Sequence, residues 1–377
     1  MKQFSLKWVS LLSVLILFSC STSKNKDQQE LDSTLNQVAD WQIEHFTYSK
    51  DKNLHDYGIA SWTNSVFYLG LAEWSKLSSQ GDQYYDWLYQ EIGESNGWEI
   101  AANFKNHPAY SLFHADELAM GQFYGVMYDK YKEDKIIQAT QERVDWIMKA
   151  EPNEEMAYHN KQLWTWCDAL FMAPPVYSKL ALLNEEPRYL EYMHQRFEQT
   201  YNHLYDKEEK LFFRDSSYFN KKEANGAKIF WGRGNGWVVA GLCNILKSLP
   251  KDDAKYPFYL SLYRDMIDRL LEIRNPKGFW HASLLDAESY PTPETSATAM
   301  IAYAMAYGIN TNLLDAAVYK APLMETWNAL TRFILEEGKL GYVQPIGADP
   351  KKVTADMTAV YGVGALLLAG SEIYKLK

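Results

Sequence analysis

The chain has 377 residues, 47% of them hydrophobic and 15% aromatic, enough for one large core, and size alone would also allow two or three domains. A formal charge of −10 with no basic run excludes a nucleic-acid partner, which needs a basic face for its phosphates, whereas a small anion needs only local cations. No Pro/Ser-rich or low-complexity linker follows residue 35, so a single domain is expected.

The first element is Met1-Lys2, Lys7 and an apolar run from Trp8 to Phe18, closing on "LFSC" and the polar stretch "STSKNKDQQE". It reads as a secretory signal, too short for an ordinary membrane-spanning helix. Leu17 three residues before Cys20, with small Ser19 between, resembles a bacterial lipoprotein processing site, although Phe18 is not the usual small residue there. The expectation is a lipoprotein signal peptide over 1–20, lipid on Cys20, a flexible tether over 21–34 and a barrel domain over 35–377. A plain signal peptide with an incidental thiol is the alternative. The lipid reading implies export and anchoring to a bacterial membrane, the outer membrane first, facing periplasm or exterior.

Beyond the leader, strand signals are scarce and apolar residues recur at spacings of three and four, so the protein reads as all-α. Helical segments are expected near 31–46, 60–79, 84–95, 114–132, 136–150, 164–183, 187–205, 235–248, 256–274, 294–308, 317–336 and 356–374. The second, fourth, sixth, eighth, tenth and twelfth are apolar on several faces and rich in Gly and Ala, as in "SATAMIAYAMAYGI". The others, such as "IIQATQERVDWIMKA", carry one apolar stripe and a charged face. Helices apolar all round are buried on all sides, so six inner helices alternating with six outer ones suggest a closed (α/α)6 barrel. A helical repeat array competes, but no fixed sequence period favours it.

In such a barrel the inner helices start on one face, and the residues near those starts are suggestive. They are Trp62 and Asn64; His114, Asp116 and Glu117; Trp164, Trp166 and Asp168; Trp231, Arg233, Asn235 and Trp237; Glu294, Thr295 and Ser296; Thr354 and Asp356. Helix capping alone explains Thr295, Ser296, Thr354 and Asp356, and it is open for Asp116. Core packing is as good a reading as ligand contact for Trp62 and Trp164. Two glycines around a polar triplet in "WGRGNGW" favour a ligand site, with Arg233 offering a fork for a carboxylate, or else a buried ion pair with Asp116 or Glu294. Asp168 lies within an apolar run, where simple capping fits poorly and a lone buried charge is costly.

Tryptophan walls, one or two carboxylates and an arginine suit a sugar acid: aromatic faces stack on pyranose rings, carboxylates move protons and arginine holds the uronate. A desolvating wall would raise the pKa of Asp168. No HExxH, P-loop, GxSxG or dinucleotide fingerprint appears, and the eight histidines lack ligand spacing. Cys167 and Cys243 read as buried free thiols.

Four blocks in order, "FHADELAMGQFYG", "LWTWCDALFMAPP", "FWGRGNGWVVAGL" and "TPETSATAMIAYAMAYGI", resemble the unsaturated uronyl hydrolases of glycoside hydrolase family 105, relatives of family 88 and of the unsaturated rhamnogalacturonyl hydrolases. The resemblance runs from about residue 35 to the C-terminus. It implies an (α/α)6 barrel and a substrate with a 4,5-unsaturated uronic acid left at the non-reducing end by a polysaccharide lyase. It implies that Asp168 protonates C4 and helps water add at C5, after which the hemiketal opens and releases the neighbouring sugar. It gives Asp116 a share in proton handling, and Trp231, Arg233 and Trp237 a hold on the sugar and its carboxylate. It implies no metal or organic cofactor. Trp62, His114, Trp164, Trp166, Asn235, Glu294 and Ser296 complete the expected binding set.

One departure stands out. Several family members carry a histidine before the "WGRGNGW" block, where this chain reads "KLFFRDSSYFN" with Arg214, Asp215 and Ser216. The extra arginine suits a more anionic partner, such as a sulfated rhamnose beside the uronate, as in ulvan. Asn103, Lys105 and His107 are expected to shape the leaving-sugar side. A non-catalytic surface glycan-binding lipoprotein, or an α/α-barrel glycosidase acting on saturated chains, would share much of this profile.

Overall fold

A computed structural model of the chain describes residues 26–46, 58–101 and 112–376. Cys20, Asn103, Lys105 and His107 lie outside the described residues. The helices run α1 (Lys26–Glu44), α2 (Trp62–Ser75), α3 (Gly81–Trp87, continued with wider turns over Leu88–Glu94), α4 (Met120–Tyr131) and α5 (Lys135–Lys149). Then follow α6 (Ala169–Met172, continued by Pro174–Asn184), α7 (Pro187–Leu204), α8 (Gly232–Ser248), α9 (Tyr256–Glu272), α10 (Thr295–Asn310), α11 (Ala316–Thr331) and α12 (Val360–Lys375).

Patterning decides which helices go inside. In α10 every side chain from Thr295 to Gly308 is buried, and in α12 every one from Tyr361 to Ile373. In α5 only Ile136, Ile137, Thr140, Arg143, Val144 and Ile147 are buried, a stripe at spacings of three and four with the charged residues opposite. The even-numbered helices pack in a ring, α2 on α4, α4 on α6, α6 on α8, α8 on α10, α10 on α12 and α12 back on α2. Each odd helix lies outside, against an inner neighbour. This is the (α/α)6 barrel read from the alternation.

Small residues let the ring close. A Cβ on Gly364 of α12 would fall 2.3 Å from the carbonyl oxygen of Val66 in α2, a distance no side chain tolerates. The first and last inner helices therefore meet backbone to backbone.

The starts of the inner helices share one mouth. Trp62 at the head of α2 packs on Trp237 of α8 and Tyr361 of α12, with ring centroids 6.0 and 5.3 Å apart. At the opposite end, a cavity of about 560 Å³ is lined by Glu73, Lys247 and Glu372 among others. Its charges serve one another: Glu372 accepts from Asn310 at 2.8 Å and pairs with Lys375 at 2.9 Å and Lys247 at 3.9 Å.

Three boundaries differ from expectation. The stretch 26–34, read as tether, is already helical, with Leu31 buried and Asp32 accepting from the Ser79 backbone N–H at 2.9 Å. The sixth helix starts at Ala169, not 164, and breaks at Ala173, because Pro174 and Pro175 have no N–H to give and their rings crowd the preceding turn. The last helix starts at Val360, so neither Thr354 nor Asp356 caps it; the Thr354 hydroxyl donates to Asp356 at 2.5 Å instead.

The few strands matter for the site. β1 (Tyr205–Asp206) and β2 (Leu211–Phe212) form a short antiparallel hairpin, with Tyr205 opposite Phe212. Asn235, near the start of α8, clamps β2: its Oδ1 accepts from Phe212 N at 2.8 Å and its Nδ2 donates to Phe212 O at 3.1 Å. The residue leaving this clamp, after Phe213, is Arg214.

Candidate active site

Three chain segments bring charge to the mouth. In the first, His114 precedes a short 3-10 turn, Ala115–Leu118, and its Nδ1 accepts from the Asp116 backbone N–H at 3.3 Å, which leaves the ring proton on Nε2. In the second, Asp168 occupies the capping position of α6, yet its side chain caps nothing. The third is Arg214. The Cys167 backbone N–H donates to the Arg214 carbonyl at 2.8 Å, tying the second segment to the third.

The carboxylate of Asp168 is thereby framed. The Cys167 thiol donates to its Oδ2 at 3.6 Å, and Nε of Arg214 stands 4.0 Å from the same oxygen. Arg214 also donates from Nη1 to buried Asp215, which the Ser217 N–H holds at 2.8 Å. The side chains remain partly open to solvent, Asp168 by 13%, Arg214 by 20%, Asp116 by 22% and His114 by 26%.

Proton affinities in this group are uneven. Burial first, and the Asp168 charge second, push Asp116 up to about 7, outweighing Lys161, Arg214 and a hydrogen bond from Trp166. Its Oδ1 is buried without a hydrogen-bond partner. Burial, opposed by the Glu117 charge and aided by Lys161 and Arg214, holds His114 down at about 4, so its ring is neutral near pH 7. Burial alone would lower Arg214, but the charges of Asp168 and Asp215 hold it above the usual arginine range. Burial thus raises the proton affinity of Asp116, a shift of which the sequence bore no sign.

The tryptophan wall is mostly core. Trp164, Trp166, Trp231 and Trp237 are all buried, and only Trp62 keeps a half-exposed face. Trp166 is covered by His114, with centroids 4.9 Å apart, and by the Lys161 ammonium at 4.2 Å. Four of the five expected stacking platforms therefore support the mouth from behind.

Arg233 also differs from expectation. Its Nη1 donates to Gln344 O at 2.6 Å and its Nη2 to Pro345 O at 3.2 Å, while the guanidinium lies over Trp231 at 4.3 Å. It fastens the 344–345 loop to α8 rather than offering an open fork, and no ion pair joins it to Asp116 or Glu294 among the described residues. Glu294 is buried and caps its own helix: it accepts from Ala297 N at 2.7 Å, Gln344 N at 3.0 Å and the Ser296 hydroxyl at 2.8 Å. Ser296 is spent on that cap. Asn235 is spent on β2.

Sequence reasoning passed over Lys161 and gave Cys167 no role beside Asp168. The signal for Lys161 was faint: a single cation seven residues before Asp168, at the edge of an aromatic run. Among the described residues no group of three His, Cys, Asp or Glu side chains could hold a metal ion.

An (α/α)6 barrel whose mouth gathers Asp116 and Asp168 with two cations has the frame of a glycoside hydrolase. Residues 34–377 match the profile of Glycosyl Hydrolase Family 88, and the chain belongs to that family. It is 35% identical over 369 residues to a protein of Formosa agariphila named Unsaturated 3S-rhamnoglycuronyl hydrolase, covering 94% of this chain and 93% of that one. A solved Glycosyl hydrolase family 88 protein from Bacteroides vulgatus is 30% identical with a TM-score of 0.80, covering 92% of this chain and 99% of that one. A solved protein named Polysaccharide Lyase is also 30% identical, with a TM-score of 0.81, covering 92% of this chain and 97% of that one.

Proposed function

We propose that this chain is an unsaturated uronyl hydrolase that removes a 4,5-unsaturated glucuronyl or galacturonyl residue from the non-reducing end of lyase-generated oligosaccharides. The observation that carries the reading is Asp116, a carboxyl group that holds its proton to about 7, placed beside Asp168 and its guanidinium. Asp116 keeps a proton available near neutrality, and two carboxyl groups side by side can share it. The enol ether of an unsaturated uronate needs that proton.

The pair's proton is delivered to C4 by Asp168, with Asp116 as its reserve, and positive charge develops at C5 and the ring oxygen. Water adds at C5 and yields a proton to the carboxylates, restoring the pair. The hemiketal then opens between C5 and the ring oxygen, and C1, now a hemiacetal, expels the neighbouring sugar as an alcohol. The sum is one water consumed and one glycosidic bond broken. Trp62, the half-exposed indole at the mouth, offers the ring face of the sugar a surface.

A sulfated rhamnose is the proposed leaving sugar, supported by the name of the Formosa agariphila relative. The test incubates the protein with oligosaccharides from an ulvan lyase and from a rhamnogalacturonan lyase, following the ultraviolet band of the conjugated double bond. Loss of the band on the ulvan products is expected; no loss on any unsaturated uronide overturns the reading. The similarity to a polysaccharide lyase favours a second reading, in which the same band grows on saturated uronide chains.

Export and a lipid anchor at Cys20 belong to the same proposal, supported by the "LFSC" pattern. Labelled palmitate is expected in the wild type and absent from Cys20→Ser.

A further inference from the structure

Lys161 is a cation that feels the charges of Asp116, Asp215 and Asp168 without being held by any of them. Its ammonium lies 4.2 Å above the Trp166 ring and donates to the Tyr158 carbonyl at 3.1 Å, and it makes no ion pair among the described residues. Burial first, then the nearby Arg214 charge, hold its pKa below the usual lysine range. Arg214 has Asp168 and Asp215 beside it, whereas the Lys161 ammonium has donors to spare for a further anion.

Depth separates the two. Arg214 lies inward, its buried Nε facing Asp168 and its Nη1 on Asp215. Lys161 lies outward, tied to exposed Tyr158 at the rim. A substrate whose unsaturated ring reaches Asp168 places the uronate carboxylate nearer Arg214 and its next sugar nearer the rim. We propose that Lys161 is the specificity residue for a sulfate ester on the leaving sugar, and that Arg214 serves the uronate carboxylate. A compact ammonium, mobile on its stem and resting on an indole, suits a sulfate whose position varies more than that of the reacting ring.

The inference rests on the uronyl hydrolase reading and is tested on two unsaturated uronyl-rhamnose disaccharides that differ only in one sulfate on rhamnose. Lys161→Gln is expected to raise the ratio of KM on the sulfated disaccharide to KM on the unsulfated one roughly tenfold. Lys161→Arg restores most of the loss, and added salt raises the wild-type KM more on the sulfated substrate than on the unsulfated one. Calorimetry with rhamnose 3-sulfate gives a readout without turnover: wild type binds it more tightly than Lys161→Gln does. Equal effects on both disaccharides, or none on either, overturn the assignment while the hydrolase reading stands. Turnover of neither disaccharide by the wild type takes both down.

Discussion

Nε of Arg214 and Oδ2 of Asp168 stand 4.0 Å apart, close enough for their charges to attract and too far for a hydrogen bond. A carboxylate held this loosely is free to bond elsewhere, as a proton donor to carbon must be. Asp168→Asn is therefore expected to lower kcat by about 10²–10⁴-fold with an unchanged melting temperature. Stopped assays on lyase products, paired with thermal unfolding, check it; full activity in Asp168→Asn would remove Asp168 from the chemistry.

Asp116 sets the pH dependence. Its protonated form, present below about 7 and lost above, is the reserve from which Asp168 draws the proton. The rate kcat/KM is expected to fall tenfold per pH unit on the alkaline side of that value. An amide at this position cannot titrate, so Asp116→Asn should lose the alkaline limb along with most of the rate. A limb that survives the substitution would assign it to another group.

The same carboxyl group weakens the fold. In the unfolded chain it titrates near 4, in the folded chain near 7. Between those values the folded state binds more protons, so stability falls as pH rises from 4 to 7, and the full cost persists above 7. The gap corresponds to at most about 4 kcal/mol, and partial solvent access trims it to roughly 2 kcal/mol. Asp116→Asn should unfold at higher urea than wild type at pH 8 and at the same urea near pH 4. Equal midpoints at both pH values would contradict this.

Arg233 should behave as a structural residue. Lysine keeps the charge but cannot reach the Gln344 and Pro345 carbonyls together, so Arg233→Lys is expected to lose about 1–3 kcal/mol of stability. At a temperature where the variant is folded, its KM should stay within about threefold of wild type. A large KM rise without a stability loss would return Arg233 to substrate binding.

The helical ring was legible because burial on every side leaves a strong mark: the Gly- and Ala-rich runs of α10 and α12 cannot face water. The site was legible only where a polar residue had no local use. Asp168 was singled out because capping fitted poorly, and its side chain indeed caps nothing. Glu294 and Asn235 were misassigned because their partners, Gln344 and Phe212, are distant in sequence and carry no motif. Which tryptophans keep an open face depends on Tyr361, Lys161 and His114 packing against them, and periodicity says nothing of that. Lys161 was missed for the converse reason, since an isolated lysine in a loop looks like ordinary surface.

The seam between Gly364 and Val66 has a kinetic side. It joins the first inner helix to the last, so the pairing that finishes the ring cannot form until nearly the whole chain is present. Such a late, long-range step slows folding and leaves the apolar flanks of α2 and α10 exposed in any shorter intermediate. A chain threaded through a membrane unfolded and released whole would avoid that interval. One emerging residue by residue into a crowded compartment would need a chaperone to cover those flanks until α12 arrived.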